Sequence, residues 1–170
     1  VITGDVDELV VVDPDTGCAT LPDYLGRLEN PPPSLAPFGV NMIHLPSREP
    51  DPIGDTILGP RRHFETSALY TKPCVIFRPD EAPLQIGGHA RNGVPWNIAT
   101  DLVTFHLKFV DREVALVTAD RRNERMKSIL TDGARTHGTW GWGKGNREVE
   151  KKIERLDART RGRPLRQVAG

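Results

Sequence analysis

The string with the clearest chemical spacing is Gly138–Gly145, which reads G-x-x-x-x-G-K and then has Gly where a phosphate-binding loop needs Ser or Thr. The missing hydroxyl would be a magnesium ligand. Such a loop also follows a buried strand, whereas residues 131–137 are polar. Glycine amides ahead of a helix could hold some other anion. We therefore interpret the segment as a glycine-spaced loop whose tryptophans pack on the domain or on a partner, and we predict no cofactor.

The basic end of the chain contains Arg-Gly-Arg-Pro at 161–164, which resembles the core of AT-hook segments, short peptides that lie in the minor groove of A·T-rich DNA. Extended arginines suit that narrow, electronegative groove. The resemblance covers four residues and occurs once. With nearby basic and aromatic residues it predicts a nucleic-acid-binding surface: Trp140, Trp142, Lys144, Arg159, Arg161, Arg163 and Arg166. The net charge of zero favours the alternative, a solvated helix face with a basic tail.

Five histidines are dispersed along the chain, at 44, 63, 89, 106 and 137. His44 and His106 fall in predicted strands and could pair for phosphoester chemistry, but neither is followed two positions later by the hydroxyl that two-histidine phosphoesterases use. No hydrolase or metalloprotease motif surrounds any of the five. We name no catalytic residue and lean against an enzyme. His106 is the first histidine to test, because Thr104 and Lys108 share its strand face.

The metal and thiol patterns are incomplete. Asp13-x-Asp15-x-Gly17 lacks the remaining ligands of a calcium loop, so it is interpreted as a turn. Cys18 and Cys74 are far apart and lack zinc spacing, which predicts free buried thiols, no metal and a reducing compartment. The apolar stretches are too short to span a bilayer. An intracellular or virion location is favoured, and an integral membrane protein is not expected.

The first third of the chain divides into two predicted segments. Residues 1–20 hold a strand over Glu8–Asp13 and a turn over Pro14–Gly17. Residues 21–60 carry nine prolines, which exclude any helix of useful length and leave only 40–45 as a strand. The scattered apolar residues of this Pro-rich extended arm predict that it lies on its own domain or on a neighbour.

The remainder divides into a core and a C-terminal region. Residues 61–135 form a β-rich core with short strands at 73–78 and 84–86, a hairpin over 102–118 and a helix over 120–130. Residues 136–170 hold the Gly/Trp loop, an amphipathic helix over Asn146–Arg159 and the basic tail. The predicted class is α+β: a small antiparallel sheet or partial barrel with a Pro-rich extended arm and two C-terminal helices.

The charges are distributed unevenly, with ten acidic and two basic residues in 1–60 but ten acidic and sixteen basic residues in 101–170. This asymmetry and the extended arm predict a non-catalytic structural or assembly subunit of a larger complex, such as a phage or virus particle. It is expected to be oligomeric and to contact neighbouring protein subunits through its extended arm and its C-terminal region. The alternatives are a nucleic-acid-binding module using the basic C-terminal third, and a small hydrolase or nuclease whose site assembles from dispersed His and Asp residues.

Overall fold

The computed structural model describes residues 1–49, 53–79, 90–91, 93–94, 96–131 and 146–160, without side chains at 126–131, 146–148 and 159–160. The chain forms two compact units: Val1–Met42 with Phe64–Lys108, and Ile43–His63 with Phe109–Gly170. Its described part contains a mixed, open sheet of five strands and three α-helices, which confirms the α+β class. The sheet was predicted to be small and antiparallel or a partial barrel, and in the structure it is mixed and does not close.

The sheet is built from strands that are distant in sequence. The elements that build it are β1 (Glu8–Val12), α1 (Leu21–Gly26), β2 (Ser34–Ile43), β3 (Phe64–Thr66), β4 (Val75–Ile76) and β5 (Asn97–Phe109). The strand order is β1-β5-β2-β3, and β4 also pairs with β2. β1 is antiparallel to β5, and both β3 and β4 are antiparallel to β2.

The predicted strand and turn at the start of the chain are confirmed. β1 is followed by a short 3₁₀ turn, Pro14–Thr16, in which the Asp13 carboxylate accepts a hydrogen bond from the Asp15 amide. Gly17 ends this turn at φ 68°, a left-handed conformation that favours glycine. The Asp13 side chain therefore stabilises the turn.

The central strand β2 lies inside the Pro-rich segment 21–60. It is longer than the predicted strand at 40–45, and every one of its residues except Phe38 is buried. Pro37 is tolerated because it lies between the segments that pair with β4 and β3, outside both registers. Residues 34–43 of the predicted arm are therefore a core strand of the chain's own sheet.

The two faces of the sheet differ in what they bury. One, the inner face, is lined by Val12, Leu35 and Leu102, and α1 packs against it through Tyr24, Leu21 and Leu25. Along β5 the buried positions on this face are Leu102, Thr104 and His106, whereas Val103, Phe105 and Leu107 on the other, outer face are only partly buried. The more polar half of the β5 alternation is thus the better buried half.

The predicted hairpin over 102–118 is wrong in its second half. Residues 112–131 form a helix, α2 (Arg112–Thr131), which includes both the predicted strand at 114–118 and the predicted helix at 120–130. The cause is Asp111, whose carboxylate accepts hydrogen bonds from the amides of Glu113 and Val114 and so begins a helix where a turn was expected. A short β-branched run does not by itself distinguish strand from helix.

Substitution of Asp111 should destabilise the second unit through two lost interactions. Asp111 caps α2, and its other oxygen lies 3.3 Å from the guanidinium of Arg61, whose side chain is fully buried. We expect Asp111→Ala to lower the unfolding free energy by about 2–3 kcal/mol, because it removes the cap of α2 and the carboxylate that faces the buried guanidinium of Arg61. Asp111→Asn keeps a capping oxygen and should lose less. Urea denaturation followed by circular dichroism measures both, and equal losses would contradict the capping role.

The second unit has its own apolar core. Helix α2 packs with α3 (Asn146–Thr160), which matches the predicted helix to within one residue. The core residues are Ile43, Leu45, Phe109, Ala115, Ala119, Val149 and Ile153. Among the described helices of the chain, none combines the length and apolar character required to cross a bilayer.

Candidate functional site

A cluster of polar side chains is buried on the inner face of the sheet. Glu8 comes from β1, Asn41 from β2, Thr104 and His106 from β5, and Lys72 from the segment before β4. The register places Glu8 directly opposite His106, so strand pairing brings these residues to one face. We call these five residues the inner polar cluster.

His106 is held by partners on three sides. Its Nδ1 lies 2.7 Å from the side-chain oxygen of Asn41, which can only accept, so Nδ1 carries a proton. Its Nε2 lies 3.4 Å from a carboxylate oxygen of Asp7, and the ring of Tyr70 stacks on it with centroids 3.7 Å apart. Both nitrogens face acceptor oxygens, which orients the ring and occupies the atoms that catalysis would use.

Lys72 and Glu8 form a buried ion pair beside this histidine. The Lys72 Nζ lies 2.8 Å from Glu8 Oε1, and the two side chains are only 5% and 2% exposed. Burial acts to lower the pKa of Lys72, but hydrogen bonding and the charge of Glu8 outweigh it, so the pKa is raised. Lys72 therefore stays charged in neutral solution and is unsuited to act as a nucleophile or base there.

Cys74 contacts the inner polar cluster, and its buried environment makes its thiol unreactive as well. Burial, and then the charge of Glu8, raise the pKa of its thiol to about 11. The thiolate, which is the reactive form, is therefore scarce at neutral pH. The prediction of a buried free thiol is confirmed at Cys74, whereas Cys18 is free but only partly buried.

The second unit contains a separate group built on Glu49. Its Oε1 accepts hydrogen bonds from the Arg62 amide and from His63 Nδ1, the latter at 2.7 Å. His44 accepts the Arg112 amide at Nδ1, so its Nε2 carries the proton and donates to the Glu49 carbonyl at 2.7 Å. His44 is therefore a neutral structural histidine that ties residues 44–49 to the start of α2.

Among the described histidine–carboxylate pairs, Glu49–His63 most closely resembles a carboxylate-oriented general base, because the second ring nitrogen of His63 has no partner. His63 Nε2 has no hydrogen-bond partner, but this atom and Glu49 Oε2 are both inaccessible to solvent. A base must reach the proton that it removes, and a buried Nε2 cannot. In this conformation the hydrogen bond between Glu49 and His63 links residue 49 to residue 63.

The outer face of the sheet carries a different kind of candidate site. Register and alternation place apolar side chains on this face from four adjacent strands: Leu9 and Val11 of β1, Val103, Phe105 and Leu107 of β5, Phe38, Val40 and Met42 of β2, and Phe64 of β3. Val40 and Met42 in its middle are buried. Leu9, Phe38 and Phe64 are 39%, 39% and 54% exposed. Single exposed apolar residues are ordinary, but several on one face are typical of a contact surface.

The sequence-predicted nucleic-acid residues are not brought together by any described contact. Arg159 lies near the C-terminal end of α3, in the part of that helix whose side chains are not described. Trp140, Trp142, Lys144, Arg161, Arg163 and Arg166 all lie outside the described residues, as does the predicted strand at 84–86. This surface stays a prediction.

The sequence analysis identified only His106 and Thr104 of the inner polar cluster. The alternation of Glu8 with Val10 and Val12 could also have placed Glu8 on the inner face.

The chain matches no protein-family model, no curated protein and no solved structure. Within the ranges that the structure describes, no three His, Cys, Asp or Glu side chains converge as a possible metal site.

Proposed function

We propose that this protein is a non-catalytic structural subunit of a larger protein assembly and that it contacts its partners through the outer face of the sheet. The observation that carries the proposal is the exposure of Leu9, Phe38 and Phe64 on one face, beside the partly buried Val103 and Phe105. Burying such side chains against a partner removes apolar surface from water, at about 25 cal/mol per Å².

The arrangement of the chemically capable side chains supports the non-catalytic part of the proposal. His44 and His106 have both nitrogens engaged, Lys72 is neutralised by Glu8, and the Cys74 thiol has a raised pKa. Buried hydrogen bonds and ion pairs such as these make a core rigid and specific. The nucleic-acid alternative rests on residues outside the described part, and the hydrolase alternative has only the buried Glu49–His63 pair in its favour.

Charged substitutions on the outer face test the proposal. We expect Phe38→Lys/Phe64→Lys to fold like the wild type, since both side chains are exposed, but to release the chain from its native complex. The measurement is the mass of the stoichiometric complex purified from the native host through a tag on the full chain. A matched control is Val114→Lys/Val117→Lys, which charges two exposed apolar side chains on α2.

The outer-face variant and the α2 variant are expected to affect the complex in opposite ways. Loss of the complex in the outer-face variant, with retention in the α2 variant, would support the proposal. A complex that survives the outer-face variant, or a chain that is monomeric and partner-free in its host, would contradict it.

A further inference from the structure

The outward edge of β1 carries backbone groups that no described part of the chain uses. β1 is the terminal strand of the sheet, and the bond from the Asp13 amide to the Asp101 carbonyl shows that odd-numbered residues face β5. The amide and carbonyl groups of Val10 and Val12 therefore point away from the sheet, and within the described residues no hydrogen bond reaches them. An unpaired edge of this kind can accept a further strand.

Both ends of this edge are acidic. Asp15 is exposed just beyond the end of β1, and in the described part of the chain its carboxylate contacts no cationic side chain. At the start of β1, the one ammonium of Lys72 lies 2.8 Å from Glu8 and 3.3 Å from Asp5, so two carboxylates share one positive charge. Residues 1–26 contain six acidic residues and no Lys or Arg. The edge therefore favours a basic strand and repels a second copy of itself.

The two compact units of the chain carry opposite net charges. The unit formed by 1–42 and 64–108 holds eleven acidic and five basic residues, a net charge of −6. The unit formed by 43–63 and 109–170 holds twelve acidic and eighteen basic residues, a net charge of +6. Residues 159–170 contain four arginines and no acidic residue. One chain thus contains both an acidic edge, in the first unit, and a basic segment, in the second.

We propose that the basic segment 161–166 of one copy binds along the free edge of β1 of a second copy, so that copies of this chain associate head to tail. This inference rests on the proposed function, because it names one of the partners that the assembly would contain. Recognition would combine main-chain hydrogen bonds to Val10 and Val12 with charge pairing at the two ends of β1. Each copy keeps one edge and one segment for its neighbours, so the contact repeats into a ring or a filament.

The composition of the segment suits an added edge strand. Arg161 and Arg163 lie at one end of it and Arg166 at the other, as acidic residues lie at the two ends of β1. Pro164 has no N–H, and a proline is tolerated in an edge strand where its missing donor faces outward. Because alternate residues of a strand face the same neighbour, Arg163 and Leu165 can then supply the groups that bond to β1.

Sedimentation of the full chain over a range of concentrations tests this inference, with circular dichroism to verify that each variant folds. We expect the wild type to form oligomers at low salt and to dissociate as added salt screens the charges. Asp5→Lys/Asp15→Lys reverses two exposed charges of the edge, and Arg161→Glu/Arg163→Glu/Arg166→Glu reverses the segment. Each of these two variants should be monomeric by itself.

An equimolar mixture of the two variants distinguishes contact between copies from contact within one chain. The basic segment of the edge variant can bind the acidic edge of the segment variant, and the reversed pair can bind likewise. The mixture should therefore form oligomers although neither variant does so alone. A segment that binds the edge of its own chain would leave both the wild type and the mixture monomeric, and that result would overturn the proposal.

Val10→Pro tests the main-chain part of the contact. The Val10 N–H points away from β5, so a proline here removes a donor from the free edge and keeps the hydrogen bonds between β1 and β5. We expect association of the folded variant to weaken about tenfold, the effect of about one lost hydrogen bond. Unchanged association would show that diffuse charge attraction acts without strand addition, and would overturn the proposed pairing along β1.

The remaining results separate this inference from its alternatives. A wild type that stays monomeric at low salt but binds DNA through 161–166 would assign the segment to nucleic acid and overturn the proposal. Phe38→Lys/Phe64→Lys changes the outer face and should leave the head-to-tail oligomers intact while releasing the larger complex. Failure of the head-to-tail contact therefore does not remove the proposed function, and failure of the proposed function does not remove the contact.

Discussion

Gly39→Ala should reduce the unfolding free energy by about 3 kcal/mol or more, the upper end of what overpacking costs. A Cβ at this position of β2 would lie 2.3 Å from the carbonyl carbon of Tyr70 and 2.5 Å from the nitrogen of Thr71. These are backbone atoms, so they cannot rotate away as a side chain does. The segment is also tied down, because the Gly39 amide donates to Thr71 Oγ1 and the Ser67 amide donates to the Gly39 carbonyl.

Urea denaturation of the purified chain measures this effect. Gly26→Ala is the matched control, since a Cβ there meets no atom within 4 Å and the position has no positive φ. It should change stability by less than about 0.5 kcal/mol. Equal unfolding free energies for Gly39→Ala and Gly26→Ala would contradict the close approach of residues 70–71 to β2.

Glu8→Gln should cost about 3–5 kcal/mol, because it leaves the buried ammonium of Lys72 without its buried partner. The remaining carboxylate, Asp5, lies 3.3 Å from Lys72 Nζ but is 69% exposed, so it compensates poorly. Asp5→Asn is therefore the control, and it should cost less than about 1 kcal/mol. Equal losses in the two variants would contradict a buried Glu8–Lys72 pair.

The pH dependence gives an independent test of the same pair. The folded pKa of Lys72 is raised above its ordinary value of 10.5, so the pair contributes its full stability below that pH and loses it as pH rises through the folded pKa. Glu8→Leu/Lys72→Met removes both charges and should recover most of the stability that Glu8→Gln loses.

Cys74 has a pKa of about 11, in the same range, and that pKa is raised by burial and by the charge of Glu8 and lowered by the charge of Lys72. Both chains are therefore compared with Cys74→Ala in place, which removes the thiol titration. The chain that keeps the Glu8–Lys72 pair should lose more stability than the double variant as the pH rises above about 10.5. Parallel pH profiles would show that Lys72 carries no extra stabilising charge interaction.

Short-range backbone and side-chain preferences were sufficient to predict several elements. The β-branched run of β1 and the Pro-to-Gly turn after it are specified by neighbouring residues, because Pro presets φ and Gly17 supplies the positive φ. α3 was predictable for the same reason, since its apolar stripe repeats at helical spacing and Val149 and Ile153 are buried. The high proline density of residues 21–60 predicted that this segment contains little helix.

Elements that depend on distant partners were not predictable. The segment 112–118 has a strand-like composition, and its helical state depends on Asp111, which both caps α2 and contacts Arg61, fifty residues earlier in the chain. Residues 34 and 35 pair with β4, and β2 as a whole lies beside β5, so its strand state depends on distant partners that the surrounding prolines gave no sign of.

The sequence by itself determined the α+β class, the first strand and turn and the last described helix, because short-range backbone and side-chain preferences decide those features. Only the tertiary structure decided which face of β5 is buried, because alternation shows that two faces exist but not which one α1 covers. The tertiary structure also decided which side chains are available for catalysis. His106 is one of five dispersed histidines in the sequence, and the fold alone places it between Asn41, Asp7 and Tyr70, where its hydrogen-bonding groups are already used.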